Sequence, residues 1–321
     1  MSLNDKRVSL KTAVIILIIL CIIIYTFYST IFTLLVGKAC NIGMAVEFND
    51  HAAAAWIAME KGWFEQENLN ISTLATFKTG LELAAALSRG DIDVAWACLG
   101  PIIVAYSRGV KVSIVCMAHL HGYAIVGKPE FTTLNDLNGK VIACPGPGSP
   151  GWLLLKIIME KYDLHAEVKK MAPYIALNAL ITGQIDAAAL PEHYVTLAEN
   201  SGMRVLIRSQ DVWPEMPGSV LVVKSDYLDK HPEIVRKLVK VTLKALDYIN
   251  SHFEDSAKIV AKRLGISYDA ALRSMSNLDY TFKIDVSEVQ MYIDLLAKYG
   301  AIEHSFNASE ILCLDFISEV S

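Results

Sequence analysis

Leu87-Ser-Arg-Gly90-Asp-Ile92-Asp93 is matched 93 residues later by Leu180-Ile-Thr-Gly183-Gln-Ile185-Asp186. Each stretch closes an apolar helix, stops it at a glycine able to take a positive φ, and enters a strand. The elements ahead of the two stretches follow the same order. In the first, residues 42–46 read as a strand, 51–61 as a helix stopped by Gly62, and 70–74 as a strand. Thr79-Gly-Leu-Glu82 is a capping box for the helix ending at Arg89-Gly90, and 91–97 leads into a third strand. In the second, 140–144 is a strand and 149–162 a helix, with Ser149 as N-cap and Pro150 at N1. Residues 167–171 are a strand, 173–182 a helix stopped by Gly183, and 185–190 a strand. Two βαβαβ units predict an α/β protein of two similar lobes with a cleft between them. Ligands in such sheets sit beyond the carboxyl ends of strands, near helix starts.

Beyond the repeat, residues 219–224 read as a strand that returns to the first lobe's sheet. Helical patterns follow at 232–252 and 255–264, and a third opens on the capping box Asp285-Val-Ser-Glu288 and ends at Gly300. Two chain crossings between lobes make a hinge. The expected organisation is residues 1–40 as a cytoplasmic tip and membrane segment, 41–124 plus 219–321 as lobe 1, and 125–218 as lobe 2.

Composition narrows the functional classes. Of 321 residues, 53% are apolar and 20% charged, which excludes disorder. A mean hydropathy of +0.37 is high for a water-soluble globule. Much of it comes from residues 13–36, 24 positions without a charge, long enough to cross a hydrocarbon core. Lys6, Arg7 and Lys11 precede this run and Lys38 follows it, so the N-terminus is expected in the cytoplasm and the globule outside. The run exceeds a simple signal peptide, which favours a retained anchor; Cys40, after Val36-Gly-Lys-Ala39, raises a lipoprotein signal as the rival. Either way the globule is tethered to the outer face of a membrane. Residues 1–40 carry a net +3, which leaves 25 basic and 33 acidic side chains in the remainder. An acidic globule without a basic stripe is no nucleic-acid binder. Six cysteines without a CxxC form no disulfide framework.

The stretch Cys144-Pro-Gly146-Pro-Gly148-Ser149-Pro-Gly151-Trp152 joins a strand to a helix start, where backbone N–H groups and the helix dipole suit an anion. It also spells G-x-G-x-x-G with Glu167 downstream, the pattern of a dinucleotide fold. Two prolines remove donors from this loop, and the space outside a cell is poor in NAD, so no cofactor is expected. His51, His119, His121 and His193 raise a metal site, but no third ligand completes a spacing around His119-x-His121 and HExxH is absent, so no metal is expected. There is no G-x-S-x-G and no evident nucleophile. Glu192, in Pro191-Glu-His-Tyr194, follows a strand of the second lobe and can accept from a ligand amine, or can simply face a helix dipole. Trp152 packs in the core or stacks on a ligand.

With these pieces in view, Glu60-Lys-Gly-Trp-Phe-Glu65 resembles a signature of solute-binding proteins of the nitrate/sulfonate/taurine ABC-transporter family, which is similar in turn to the thiamine-pyrimidine-precursor binders. Phe77-Lys-Thr-Gly80, Arg89-Gly-Asp-Ile-Asp93, Leu134-Asn-Asp-Leu-Asn-Gly-Lys140, Pro145-Gly-Pro-Gly-Ser149, Gly183-Gln-Ile-Asp-Ala187, Trp213-Pro214 and Gly218-Ser-Val-Leu-Val-Val223 follow in family order. Asn68 stands where a glycine is usual, and Pro191-Glu-His193 replaces a frequent Trp-Glu-Pro. The resemblance implies a type II periplasmic-binding-protein fold that takes up a small solute and delivers it to a permease driven by an ATPase. A monomer without enzymatic activity is implied. Its ligand loops map onto 49–51, 78–80, 98–101, 119–123, 149–152 and 192–193. The implied ligand contacts are Asp50, His51, Thr79, Gly80, Cys98, Leu99, Gly100, His119, Gly122, Tyr123, Ser149, Gly151, Trp152, Glu192 and His193. The solute is expected to be a sulfonate- or nitrate-like anion or a pyrimidine. An enzyme on the same fold, similar to a thiamine-pyrimidine synthase, and a non-transport sensor are the alternatives; that enzyme family's cysteine-rich motif is absent here.

Overall fold

The structure is a computed structural model that describes the backbone of residues 10–35 and 41–319. The chain divides into two units, Met1–Cys40 and Asn41–Ser321. In the first, the helix Leu10–Leu35 takes in residues 13–35 of the uncharged run. Its described side chains, 15–28, are uncharged and, Thr26 and two tyrosine hydroxyls aside, apolar, and its large ones are 51–75% exposed. Those 14 positions cover only about 21 Å of helix rise. Among the described residues no helix is long and apolar enough to cross a membrane. The side chains of Lys6, Arg7, Lys11, Lys38 and Cys40, on which the orientation and lipoprotein expectations rest, lie outside the described residues.

The second unit is built on two sheets. β1 (Asn41–Glu47), β2 (Asn70–Phe77), β3 (Val94–Cys98) and β4 (Val112–His121) precede the midpoint of the repeat. β5 (Tyr123–Gly127), β6 (Val141–Cys144), β7 (Glu167–Lys170), β8 (Ala187–Pro191) and β9 (Arg204–Arg208) follow it, and β10 (Pro217–Lys224) and β11 (Leu278–Asp279) come later. The sheet orders are β11-β4-β10-β3-β1-β2 and β7-β6-β8-β5-β9. β1 pairs parallel with β2 and β3, and β6 pairs parallel with β7 and β8. β10 is antiparallel to both β3 and β4, and β5 is antiparallel to both β8 and β9. The two sheets thus share one plan, and each takes an inserted antiparallel strand from across the chain crossing. The matched heptapeptides occupy equivalent corners. Gly90 has φ +80° and Gly183 φ +74°, the left-handed conformation that lets each helix stop and the chain turn into β3 or β8.

Physical reasons for the strand positions are local. β3 (Val-Ala-Trp-Ala-Cys) and β8 (Ala-Ala-Ala-Leu-Pro) are buried throughout, because helices cover both faces of a central strand. β7 (Glu-Val-Lys-Lys) is an edge strand and carries charge, which discourages edge pairing. The expected strand at 219–224 is β10 and does join the first sheet. Of β4 only the strand placement of His119 and His121 was read from the sequence, and β5, β9 and β11 were not. Ser149 caps Pro150–Lys161 by accepting from Trp152 N–H at 3.2 Å. Thr79 caps Gly80–Arg89 by accepting from Glu82 N–H at 3.2 Å. At the third expected box, Asp285 accepts from Ser287 N–H instead, and Glu288 accepts from Trp213 Nε1–H at 2.6 Å. The helix Val286–Lys298 thereby ties to the segment leaving the second sheet, and Lys298 reaches Glu160 at 2.7 Å.

Candidate functional site

Residues at or just beyond the carboxyl ends of β1, β3, β6 and β8 line one cavity. The helices Gly80–Arg89, Leu99–Ser107, Pro150–Lys161 and Pro173–Ile181 begin just beyond strands, so their positive ends converge on the same space. A cavity of about 30 Å³ lies there, room for about two waters. Its walls from the first half are Glu47, Asn49, Lys78, Thr79, Gly80, Leu81, Cys98, Pro101 and Tyr123. Pro145, Ser149, Pro150, Gly151, Pro173, Pro191 and Tyr194 close it from the second. The halves meet tightly: a Cβ on Gly100 would lie 2.3 Å from the Gly148 carbonyl oxygen. The glycines of the 144–152 loop serve this close approach rather than a phosphate cradle, since a Cβ on Gly148 would lie 2.7 Å from Val104 Cγ2.

Glu47 is the one carboxylate on the cavity wall and is 4% exposed. Its Oε1 accepts from Cys98 N–H at 2.8 Å, and its Oε2 accepts from the Cys98 thiol at 3.2 Å and from Asn49 Nδ2 at 3.3 Å. Cys98 Sγ lies 3.0 Å from Tyr123 Oη, which is 3.3 Å from His51 Nδ1. His51 Nε2 lies 3.2 Å from the Gly122 carbonyl, which can only accept, so Nε2 carries the proton and Nδ1 accepts. Burial raises the Glu47 carboxyl above its ordinary value, with the hydrogen bonds from Cys98 and Asn49 opposing. Burial, then the Glu47 charge, pushes the Cys98 thiol up; burial raises Tyr123; and burial, then His119, holds His51 well below its usual value. Thiol, phenol and imidazole are therefore neutral. The Cys98 thiol donates to Glu47 and the Tyr123 hydroxyl to His51, so these groups are held neutral side by side and Cys98 is not an activated nucleophile.

A second group of buried polar side chains lies behind this wall. Glu192 is fully buried, and Arg208 Nη1, Asn277 Nδ2, Thr196 N–H and Thr196 Oγ1 donate to it at 2.9, 3.0, 3.2 and 2.9 Å. Burial pushes Glu192 up to about 7, against the Arg208 charge. Asp50 is fully buried without a hydrogen-bond partner on either oxygen; burial, then Glu192, pushes it up to about 8. Burial lowers His119 to about 3 and His193 to about 4.

Of the residues implied by the resemblance, Thr79, Gly80, Cys98, Tyr123, Ser149 and Gly151 line the cavity. His51 stands behind Tyr123, and Gly122 is held against it, since a Cβ there would lie 2.8 Å from His51 Nε2. Asp50, Leu99, Gly100, His119 and His193 are buried but are not on the cavity wall. Glu192 has its acceptor capacity filled within the protein, so its expected pairing with a ligand amine lacks free lone pairs. Trp152 meets Tyr299 edge-on at 6.4 Å and Lys156 at 5.9 Å, and it is not on the wall either. Asn49 and Lys78 fall within the implied loops, whereas Glu47 was not read from the sequence. The signal for it was its place, an acidic residue ending the first strand. Among the described residues no group of three or more His, Cys, Asp or Glu is arranged to hold a metal ion; His121 pairs with Asp279 at 3.2 Å instead.

Comparison with known proteins places these features. The model of a family described as NMT1-like matches residues 39–265. The taurine-binding periplasmic protein of Escherichia coli is 27% identical over 215 residues, 65% of this chain and 67% of that protein. Among solved structures, the periplasmic nitrate-binding protein NrtA of Synechocystis aligns with a TM-score of 0.80 at 13% identity, covering 88% of each chain. The periplasmic aliphatic sulphonate-binding protein SsuA of Escherichia coli aligns with a TM-score of 0.73 at 19% identity, covering 84% of this chain and 96% of that one. The likeness shows an α/β periplasmic-binding-protein fold with two sheets.

Proposed function

Because the chain belongs to the NMT1-like family, we propose that it is the extracytoplasmic solute-binding protein of an ABC importer. It captures a small solute between its two sheets and presents it to a permease and its ATPase. The observation that carries this reading is the cavity at the strand carboxyl ends, walled from both halves and faced by helix starts. Residues 41–124 plus 219–321 and residues 125–218 act as the two lobes. The crossings at His121-Gly122-Tyr123 and between β9 and β10 are the hinge, and a solute larger than the enclosed 30 Å³ enters when the lobes part. The neutral state of the Cys98 thiol supports binding over catalysis. The helix Leu10–Leu35, uncharged at every described side chain, serves as the tether, with the basic N-terminal residues on the cytoplasmic face.

The test is a thermal shift of the full-length protein in detergent against sulfonates, nitrate and aminopyrimidines. A ligand that binds only the native state raises Tm with concentration. A saturable rise with at least one of these is expected, and no rise with any of them overturns the reading.

A further inference from the structure

The wall of this cavity is asymmetric in charge, and the asymmetry bears on which solutes fit. An oxyanion alone would be served by helix starts and lysine. The starts of Gly80–Arg89 and Pro150–Lys161 offer first-turn N–H groups, which have no intrahelical acceptor, and Lys78 adds a cation whose Nζ sits 4.8 Å from the Tyr174 ring centre. At the start of Leu99–Ser107, however, the position an anion would take is already held by the protein. Glu47 Oε1 accepts the Cys98 N–H there, and the carboxylate also crowds the next helix start, where a Cβ on Gly80 would lie 2.5 Å from the same oxygen. A free nitrate or a plain sulfonate placed beside it meets a like charge in a desolvated site.

A second observation points the same way. Asn49 lines the cavity and is 5% exposed. Its Nδ2 donates to Glu47, which fixes the amide orientation and leaves Oδ1 as an acceptor with no partner. The first-half wall thus presents a carboxylate held only by neutral donors and a carbonyl oxygen with no donor. Buried acceptors of this kind cost free energy unless a donor arrives.

We infer that Glu47 sets specificity by requiring a protonated amine on the solute. The preferred ligand is a small zwitterion whose ammonium group donates to Glu47 and Asn49 Oδ1 while its oxyanion faces the helix starts and Lys78. Amine-free sulfonates and nitrate are rejected because they leave Asn49 Oδ1 unpaired and bring a like charge beside Glu47. This inference rests on the solute-receptor reading and narrows it.

The experiment is titration calorimetry on the full-length protein with four probes: 2-aminoethanesulfonate, 3-aminopropanoate, ethanesulfonate and nitrate. At least one amine-bearing probe is expected to bind at least about tenfold tighter than ethanesulfonate and nitrate, since loss of one partner of a buried charged pair is costly. Glu47→Gln is expected to remove most of that preference. The wild-type comparison decides the matter even if the variant does not fold. Ethanesulfonate or nitrate binding as tightly as the amines overturns the inference and leaves the receptor reading standing. Equal preference in wild type and a folded Glu47→Gln overturns the role of Glu47. Failure of all four probes overturns the amine requirement, and failure of the broader panel as well overturns the receptor reading.

Discussion

Glu47 and Glu192 are both buried glutamates just beyond or at a strand end, Glu47 closing β1 and Glu192 following β8, yet they do opposite work. Glu192 accepts from four donors supplied by the protein, one of them the Arg208 guanidinium, and so has nothing left for a ligand. Glu47 accepts from Cys98 and Asn49 alone, all neutral donors, and it looks into the cavity. Residue type is the same and the strand positions differ by one residue. What separates them is how much of the acceptor capacity the fold has already consumed.

Arg208→Ala leaves Glu192 buried without its cation, so chemical denaturation should show a loss of about 3 kcal/mol; an unchanged midpoint would mean the pair is not structural. Glu47→Gln should keep most of the stability and lose the ligand-induced rise in Tm for an amine-bearing solute. If it unfolds the protein as readily as Arg208→Ala, the two glutamates are alike after all.

Asp50 supplies the third test. Its carboxyl sits at about 8 in the folded chain against an ordinary value of 3.8, so between those values the unfolded chain binds fewer protons than the folded one. Stability from this group therefore falls as pH rises from about 4 to about 8. Asp50→Asn should raise Tm at pH 8 and do little at pH 4, and no pH dependence of the difference would count against a protonated Asp50. The neutral histidines act in the other direction: with His119 at about 3 and His193 at about 4, stability drops as pH falls below their ordinary 6.5. The smallest effect is Ser149→Ala, which removes the cap on Pro150–Lys161 and should cost about 1 kcal/mol by denaturation.

Much of the fold is legible in the sequence because helix stops and caps are local chemistry. Gly90, Gly183, Ser149 and Thr79 announce their roles within four residues. β4 and β5 are not legible that way. Val-Ser-Ile-Val-Cys-Met-Ala-His-Leu-His is a nearly unbroken apolar run whose periodicity does not separate strand from helix, and nothing local says that β5 inserts antiparallel in the second sheet. The site divides along the same line. Ser149, Gly151, Thr79 and Gly80 lie at capped helix starts and are visible. Glu47 depends on Cys98, 51 residues away, and Glu192 on Arg208 and on Asn277, 85 residues away, so which glutamate is free follows only from the packed chain.

In the proposed receptor the two lobes part to admit a solute and close on it with Cys98 inside. Cys98 lines the cavity and is 4% exposed, so its alkylation reports opening directly. The full-length protein should be treated with a small maleimide and modification at Cys98 followed by peptide mass spectrometry. Slow modification that falls saturably as a binding solute is added is expected. Fast modification that saturating solute leaves unchanged would contradict it.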